Sequence, residues 1–260
     1  MTKNRFVISL TWELKNLFRF PFPEILLALF TYMVFVPSGG MGAGSFDLEN
    51  LSWQRVTYLV SFWSAERGAL HAGSAYLPMV ILGSIFATLA FAYEIENGLL
   101  KVHLSHPTSK RAIFLSKFLS CFLIEFTTLS CTLLFFIFLY IPENAFYLIV
   151  YPSLPLKILL LAALESFFII SFMVSFSIFS RKTSISLVGS FATIYVIQLL
   201  GEAANLTFLT PASFYGQVEY LFSLTPPKLS ELPAFLINPI VATIMMAVSY
   251  IYFSRRLALT

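Results

Sequence analysis

Charge is what this 260-residue chain has least of: Asp, Glu, Lys and Arg make up 11% of it, against 58% hydrophobic residues. A soluble domain carries roughly a quarter charged residues, so water is not the main solvent here, and the mean hydropathy of +0.83 agrees. Cysteine is nearly missing. Cys121 and Cys131 share one apolar run and lie on different faces of a helix, which argues against a disulfide framework or a thiolate metal site. No Gly-x-x-x-x-Gly-Lys-Ser/Thr occurs, and the glycines between Gly39 and Gly44 lack the lysine and the following helix, so the chain does not cradle ATP phosphates in the usual way. His-Glu-x-x-His and Gly-x-Ser-x-Gly are also missing, which argues against an intramembrane zinc protease or a serine hydrolase. Glu13, Lys15 and Arg19 interrupt the early apolar stretch where a cleavable signal peptide needs an unbroken core, so the N-terminus is expected to be retained. No internal repeat or low-complexity tract is present.

What remains is a succession of apolar runs along the whole chain, read as one all-α membrane domain over residues 1–260 with about six transmembrane helices. The spans fall at 22–36, 72–93, 113–141, 155–179, 185–204 and 235–253. All but the first are near or above the roughly 20 residues that a hydrocarbon core requires; the first is short and ends at Pro37 and Gly39. Residues 1–21 precede it. Phe6, Leu10, Leu14, Leu17 and Phe18 recur there at helical spacing, while Lys3, Glu13, Lys15, Asn16 and Arg19 occupy other positions. An amphipathic helix on the membrane surface fits this pattern, and so do the first turns of a longer span, although Pro21 and Pro23 favour a bend.

The formal net charge is +3, but near membrane helices position counts for more than the sum. Lys3, Arg5, Lys15, Arg19, Lys101, Lys110, Arg111, Lys117, Arg181, Lys182, Arg255 and Arg256 fall on one side of the six-span scheme; Arg55, Arg67, Lys157 and Lys228 fall on the other. The positive-inside rule makes the first side cytoplasmic, giving a multi-pass cell-membrane protein with both termini in the cytosol. Nothing supports nucleic-acid binding. The outer segments 37–70 and 205–234 are rich in aromatic and small residues and suit partly embedded helices; Trp53, Phe62 and Trp63 read equally as interfacial anchors or as substrate contacts.

The most informative stretch is the cytoplasmic segment 94–111. An acidic pair, Glu94 and Glu96, precedes Gly98; a leucine-rich helix with Leu100 and Leu104 follows; then come Ser105, Pro107, Ser109 and Lys110, with Lys117 entering the next span. The acidic pair favours a helix start, Gly98 permits a tight approach, and Ser105 with Pro107 stops one helix before the next begins. In order and spacing this segment resembles the ABC-2 type transporter permease family, departing from its pattern at Ile95, where a basic residue is common, and at Leu99, where threonine is common. The amphipathic start, the six spans and the long final outer loop are similar to that family over the whole chain.

The resemblance implies that 94–111 is a coupling helix seated in a groove of a cytosolic ABC ATPase subunit. ATP and Mg would then be bound by that partner, with no cofactor on this chain. It also implies pairing with a second permease copy or a homologous permease, a pathway along the dimer interface, and export. The aromatic content of 17% is compatible with amphipathic or apolar cargo.

Inside the spans, Glu125 and Glu165 are the clear acidic residues, with Glu202 nearer an outer end. Buried acids in membranes are functional candidates by default: a proton or cation relay is one reading, and bonds to a serine, threonine or lysine of a neighbouring helix are another. Ser166, Ser171, Ser175 and Ser177 read as helix-packing residues. His103 and His106 lie three apart without a further ligand at metal spacing and read as surface histidines; His71 has no visible partner. Two rivals to an ATP-driven permease stay open: an ion-coupled secondary transporter or channel using Glu125 or Glu165, and a permease-like subunit that passes ATP energy to an extracytoplasmic assembly factor.

Overall fold

A computed structural model of the chain describes residues 2–18, 24–25, 28, 76–105, 109–140, 153–203 and 232–256. Among these, every regular element is helical: α1 (Thr2–Leu17); α2 (Tyr76–Ala87), which runs through a π-helical turn (Thr88–Ala92) into α3 (Tyr93–Glu96); α4 (Leu99–Ser105); α5 (Lys110–Tyr140); α6 (Ser153–Ser180); α7 (Thr183–Ala203); and α8 (Leu232–Arg256).

Among the described residues, four stretches are long and apolar enough to cross a membrane: Pro78–Glu96, Lys110–Thr132, Pro155–Ser180 and Leu236–Arg255. They coincide with the expected spans 72–93, 113–141, 155–179 and 235–253. The expected span 185–204 falls on α7, a helix of 21 residues, within which Thr183–Ile194 is a shorter apolar stretch. Span 22–36, apart from residues 24, 25 and 28, lies outside the described residues, as do the segment 37–70 and most of 205–234.

The bundle is organised around α6, which packs on α2, its π turn, α5, α7 and α8. Apolar residues surround α6 on every side, the pattern of a helix buried all round. Its span is 67% buried within the protein, whereas that of α8 is 22% buried, so α8 is peripheral and leaves Ile240, Ile244, Val248 and Ile251 facing outward.

Between the helices run seams of short hydroxyl bonds. Ser84 donates to the Leu187 carbonyl at 2.7 Å and pairs with Ser190 at 2.8 Å. Thr88 and Ser177 each lie 2.6 Å from the Ser186 hydroxyl, and Ser249 donates to Ser175 at 2.7 Å. Small polar residues allow helices to approach closely where hydrophobicity supplies no drive between them. Ser175 and Ser177 thus pack helices as their spacing suggested; the hydroxyls of Ser166 and Ser171 are buried without a partner among the described residues.

Helix α1 lies against α5. Its last backbone bond runs from Phe18 N to the Leu14 carbonyl at 3.0 Å, ahead of Pro21 and Pro23. Of the expected apolar stripe, Leu17 is buried and Phe6, Leu10 and Leu14 are half-buried, whereas Phe18 is exposed. Glu13 goes inward beside Leu17, while Val7, Ile8, Trp12 and Phe18 are exposed.

Candidate functional site

The burial of Glu13 has its cause on α5. Lys117 is completely buried, and a lone ammonium in that position would cost several kcal/mol. It is held between two carboxylates: Glu13 Oε1 at 2.8 Å and Glu94 Oε1 at 2.5 Å. The three side chains are 0%, 4% and 9% exposed respectively, so the pairs are dry and unscreened. Beside them Ser9 and Ser116 pair at 2.9 Å. This cluster joins α1, α3 and α5.

Glu96, two residues and about half a turn from Glu94 at the exposed end of α3, faces a different neighbour. Its Oε2 accepts from the Thr183 backbone N–H at 2.8 Å and from the Thr183 hydroxyl at 2.5 Å. Those are bonds to the first turn of α7, where free N–H groups and the helix dipole both favour a carboxylate. Glu96 therefore caps a helix 87 residues away in sequence.

Gly98 joins α3 to α4 with φ +69, and a Cβ built there meets nothing within 4 Å. The expectation of a tight approach is corrected on this point: Gly98 serves the left-handed backbone of the turn, which glycine adopts without strain. After it, Leu100 is buried and anchors α4, while Leu99 and Lys101 face outward. Ser105 is the last residue of α4, and the side chains of Leu104 and Ser105, with all of Pro107, lie outside the described residues. Ser109 starts α5: its hydroxyl accepts from Ala112 N at 3.2 Å and its carbonyl from Ile113 N at 3.1 Å, an N-cap arrangement. Lys110 reaches the Ser254 carbonyl of α8 at 3.5 Å.

The same end of the bundle holds two further ties. The two-residue link between α6 and α7 places Arg181 at φ 55; its Nη2 donates to the Tyr252 hydroxyl at 2.6 Å, and its guanidinium lies 5.5 Å from that ring's centroid. Phe91, Phe114 and Phe253 form a buried aromatic triangle with centroids 5.5 to 6.3 Å apart, joining the π turn, α5 and α8.

The segment 94–111 is thus bound to α5 through Glu94, whose partner Lys117 also holds Glu13 of α1, to α7 through Glu96 and to α8 through Lys110. Glu13, Thr183 and the Arg181–Tyr252 contact escaped the sequence reading. For Glu13 a signal existed: it lies three residues after Leu10 and four before Leu17, on the face those leucines bury. Thr183 and Tyr252 carried no such mark.

Deeper in the bundle, Glu125 on α5 is completely buried, and neither carboxyl oxygen has a hydrogen-bond partner among the described residues; Glu165 on α6 is buried with Oε1 likewise unpartnered. The bonds to neighbouring serines, threonines or lysines that Glu125 was expected to make are not formed by the described residues. The carboxyl instead rests against Gly83 of α2, where an added Cβ would come within 2.8 Å of Glu125 Oε2 and 3.0 Å of Ile169 Cγ2. Among the described residues no three His, Cys, Asp or Glu side chains group as metal ligands.

No curated protein matches this chain. The family model described as ABC-2 family transporter protein matches residues 24–257, nearly its whole length and all four of the apolar spanning helices. With that match added to a bundle of membrane-length helices, the chain belongs to the ABC-2 transporter family, as a membrane-spanning permease subunit.

Proposed function

We propose that this permease couples ATP hydrolysis on a separate cytosolic ATPase subunit to export of an amphipathic or apolar substrate, and that residues 94–111 are where the ATPase engages. The observation that carries the reading is the wiring of that segment: one short outward-facing helix, α4, is continuous with elements whose polar side chains reach α5, α7 and α8, with α1 joined to the same cluster through Lys117. A push on α4 is therefore a push on the bundle. Glu94 spends its carboxylate inside the protein, and Glu96 engages Thr183 at the surface; the exposed side chains presented to a partner include Asn97, Leu99, Lys101 and Val102, apolar ones set among polar and basic ones.

In this reading the basic end faces the cytosol, as the distribution of lysines and arginines requires, and span 22–36 together with α7 completes six crossings with both termini inside. A second permease copy or a homologue completes the pathway. Energy comes from ATP and Mg on the partner. Purification of the tagged chain from native membranes tests this: the expected result is a stoichiometric partner with a phosphate-binding loop, and ATPase activity in the complex. A homogeneous chain without such a partner at native expression overturns it in favour of an ion-coupled carrier.

A further inference from the structure

Helix α5 turns a polar ladder into the bundle. Lys117, Cys121 and Glu125 follow at intervals of four, all completely buried, so they lie on one face, with Glu125 about 12 Å along the axis from Lys117. Lys117 is neutralised by its two carboxylates. Nothing comparable meets Glu125: α2 offers Gly83 and α6 offers Ile169 against it, and both its oxygens are unpartnered among the described residues. An ionised carboxylate in such a place would carry a Born penalty that no neighbour offsets.

The occupant that relieves this must fit the space. The Gly83 notch is filled by the carboxyl itself, since even one added carbon would sit 2.8 Å from Oε2. On the Gly83 side that leaves no room for a hydrated cation or an organic ammonium group, and three ligands for a bare metal ion do not come together among the described residues. A proton fits, because it needs no volume and removes the charge.

We propose that Glu125 is a proton-binding site of the permease, occupied while α2 packs on α5 and emptied when those two spans part and admit water. The buried charged and titratable groups on its own helix and the elements packed with it are Lys117 and Cys121 on α5, Glu165 on α6, Glu13 on α1 and Glu94 on α3, the last two engaged with Lys117. On its flank α2 places Gly83 and Ser84, which do not titrate, and α8 reaches α5 with Tyr250 near Phe114. Separation of α2 from α5 thereby releases one proton from Glu125 to water, and repacking takes one back. Protonation of Glu125 rests on geometry alone; its link to the transport cycle rests on the ATP-driven reading above.

Infrared difference spectroscopy of the full chain in lipid nanodiscs at neutral pH, with 13C-labelled glutamate, reads the site directly. The expected spectrum shows a carboxylic-acid C=O band that shifts with the label, is lost in Glu125→Gln and persists in Glu165→Gln. Wild type without a label-sensitive acid band, or a band undiminished in Glu125→Gln, overturns the site; the wild-type spectrum decides even if the variant does not insert. In the complex with its ATPase the band is expected to fall when ATP closes the nucleotide sites. A band unchanged while the spans are seen to move overturns the linkage. Failure to find any ATPase sinks the transporter reading and leaves the band to stand or fall by itself.

Discussion

Lys117 shows how single residues set this structure. Its ammonium is stable in the interior only because Glu13 and Glu94 both reach it, and removal of one partner from a buried ion pair costs about 3–5 kcal/mol. Lys117→Met leaves two carboxylates buried together, so it is expected to be the most damaging substitution at this end of the bundle. Denaturation in mild detergent measures it. Restoring neutrality with Glu13→Leu and Glu94→Leu in the same chain should recover most of the loss; if the single variant is as stable as wild type, the cluster is not dry. Gly98 makes a quieter prediction. At φ +69 with open space around it, Gly98→Ala should cost about 1–2 kcal/mol for the left-handed backbone and Gly98→Asn less, because asparagine tolerates that region. A reversed order would mean that space, and not conformation, selects glycine there.

At the scale of elements, the helices are held by hydroxyls and by notches. Ser186 of α7 is 2.6 Å from both Thr88 and Ser177, so Ser186→Ala releases three helices from one another. Interhelical hydrogen bonds in membranes average about 0.6 kcal/mol, and the loss of two should lower stability by about 1 kcal/mol, readable as a fall in thermal midpoint. Gly83→Leu acts differently. Its side chain would enter the space held by Glu125 and Ile169, so α2 must separate from α5, and cysteine pairs placed across those helices should lose their cross-linking. Undiminished cross-linking would show that the notch yields.

For the whole molecule, the ties of segment 94–111 to α5, α7 and α8, and through Lys117 to α1, are the feature with functional weight. Charge reversal on its outer face by Leu99→Glu with Lys101→Glu touches none of the internal ties. It is expected to abolish ATPase co-purification while insertion and thermal stability stay at wild-type levels. Glu96→Gln, in contrast, should retain the partner and weaken the cap on α7, so that ATP hydrolysis persists with less transport. Equal loss of binding in both variants would place Glu96 on the docking surface itself.

Much of this was legible in the sequence, because hydrocarbon imposes one rule on every backbone that crosses it: internal hydrogen bonds throughout. Composition and the length of the apolar runs therefore determined an all-helical membrane protein, and the four spanning stretches fall where those runs do. The ordered residues from Glu94 to Lys117 carried the resemblance to the family, and the match over residues 24–257 shows it. Periodicity could show that Glu13 shares a face with Leu10 and Leu17, but not what it meets there. The partners of Glu94, Glu96, Lys110 and Arg181 lie 23, 87, 144 and 71 residues away, and no local pattern encodes a pairing at such separations. Only the packed bundle decided that Glu94 turns inward to Lys117, that Glu96 caps α7 at the surface, and that Glu125 stands without a hydrogen-bond partner among the described residues. The physical reason is the same in each case: a sequence fixes which groups are too polar to be left alone in a membrane, and tertiary structure fixes which neighbour, if any, they find.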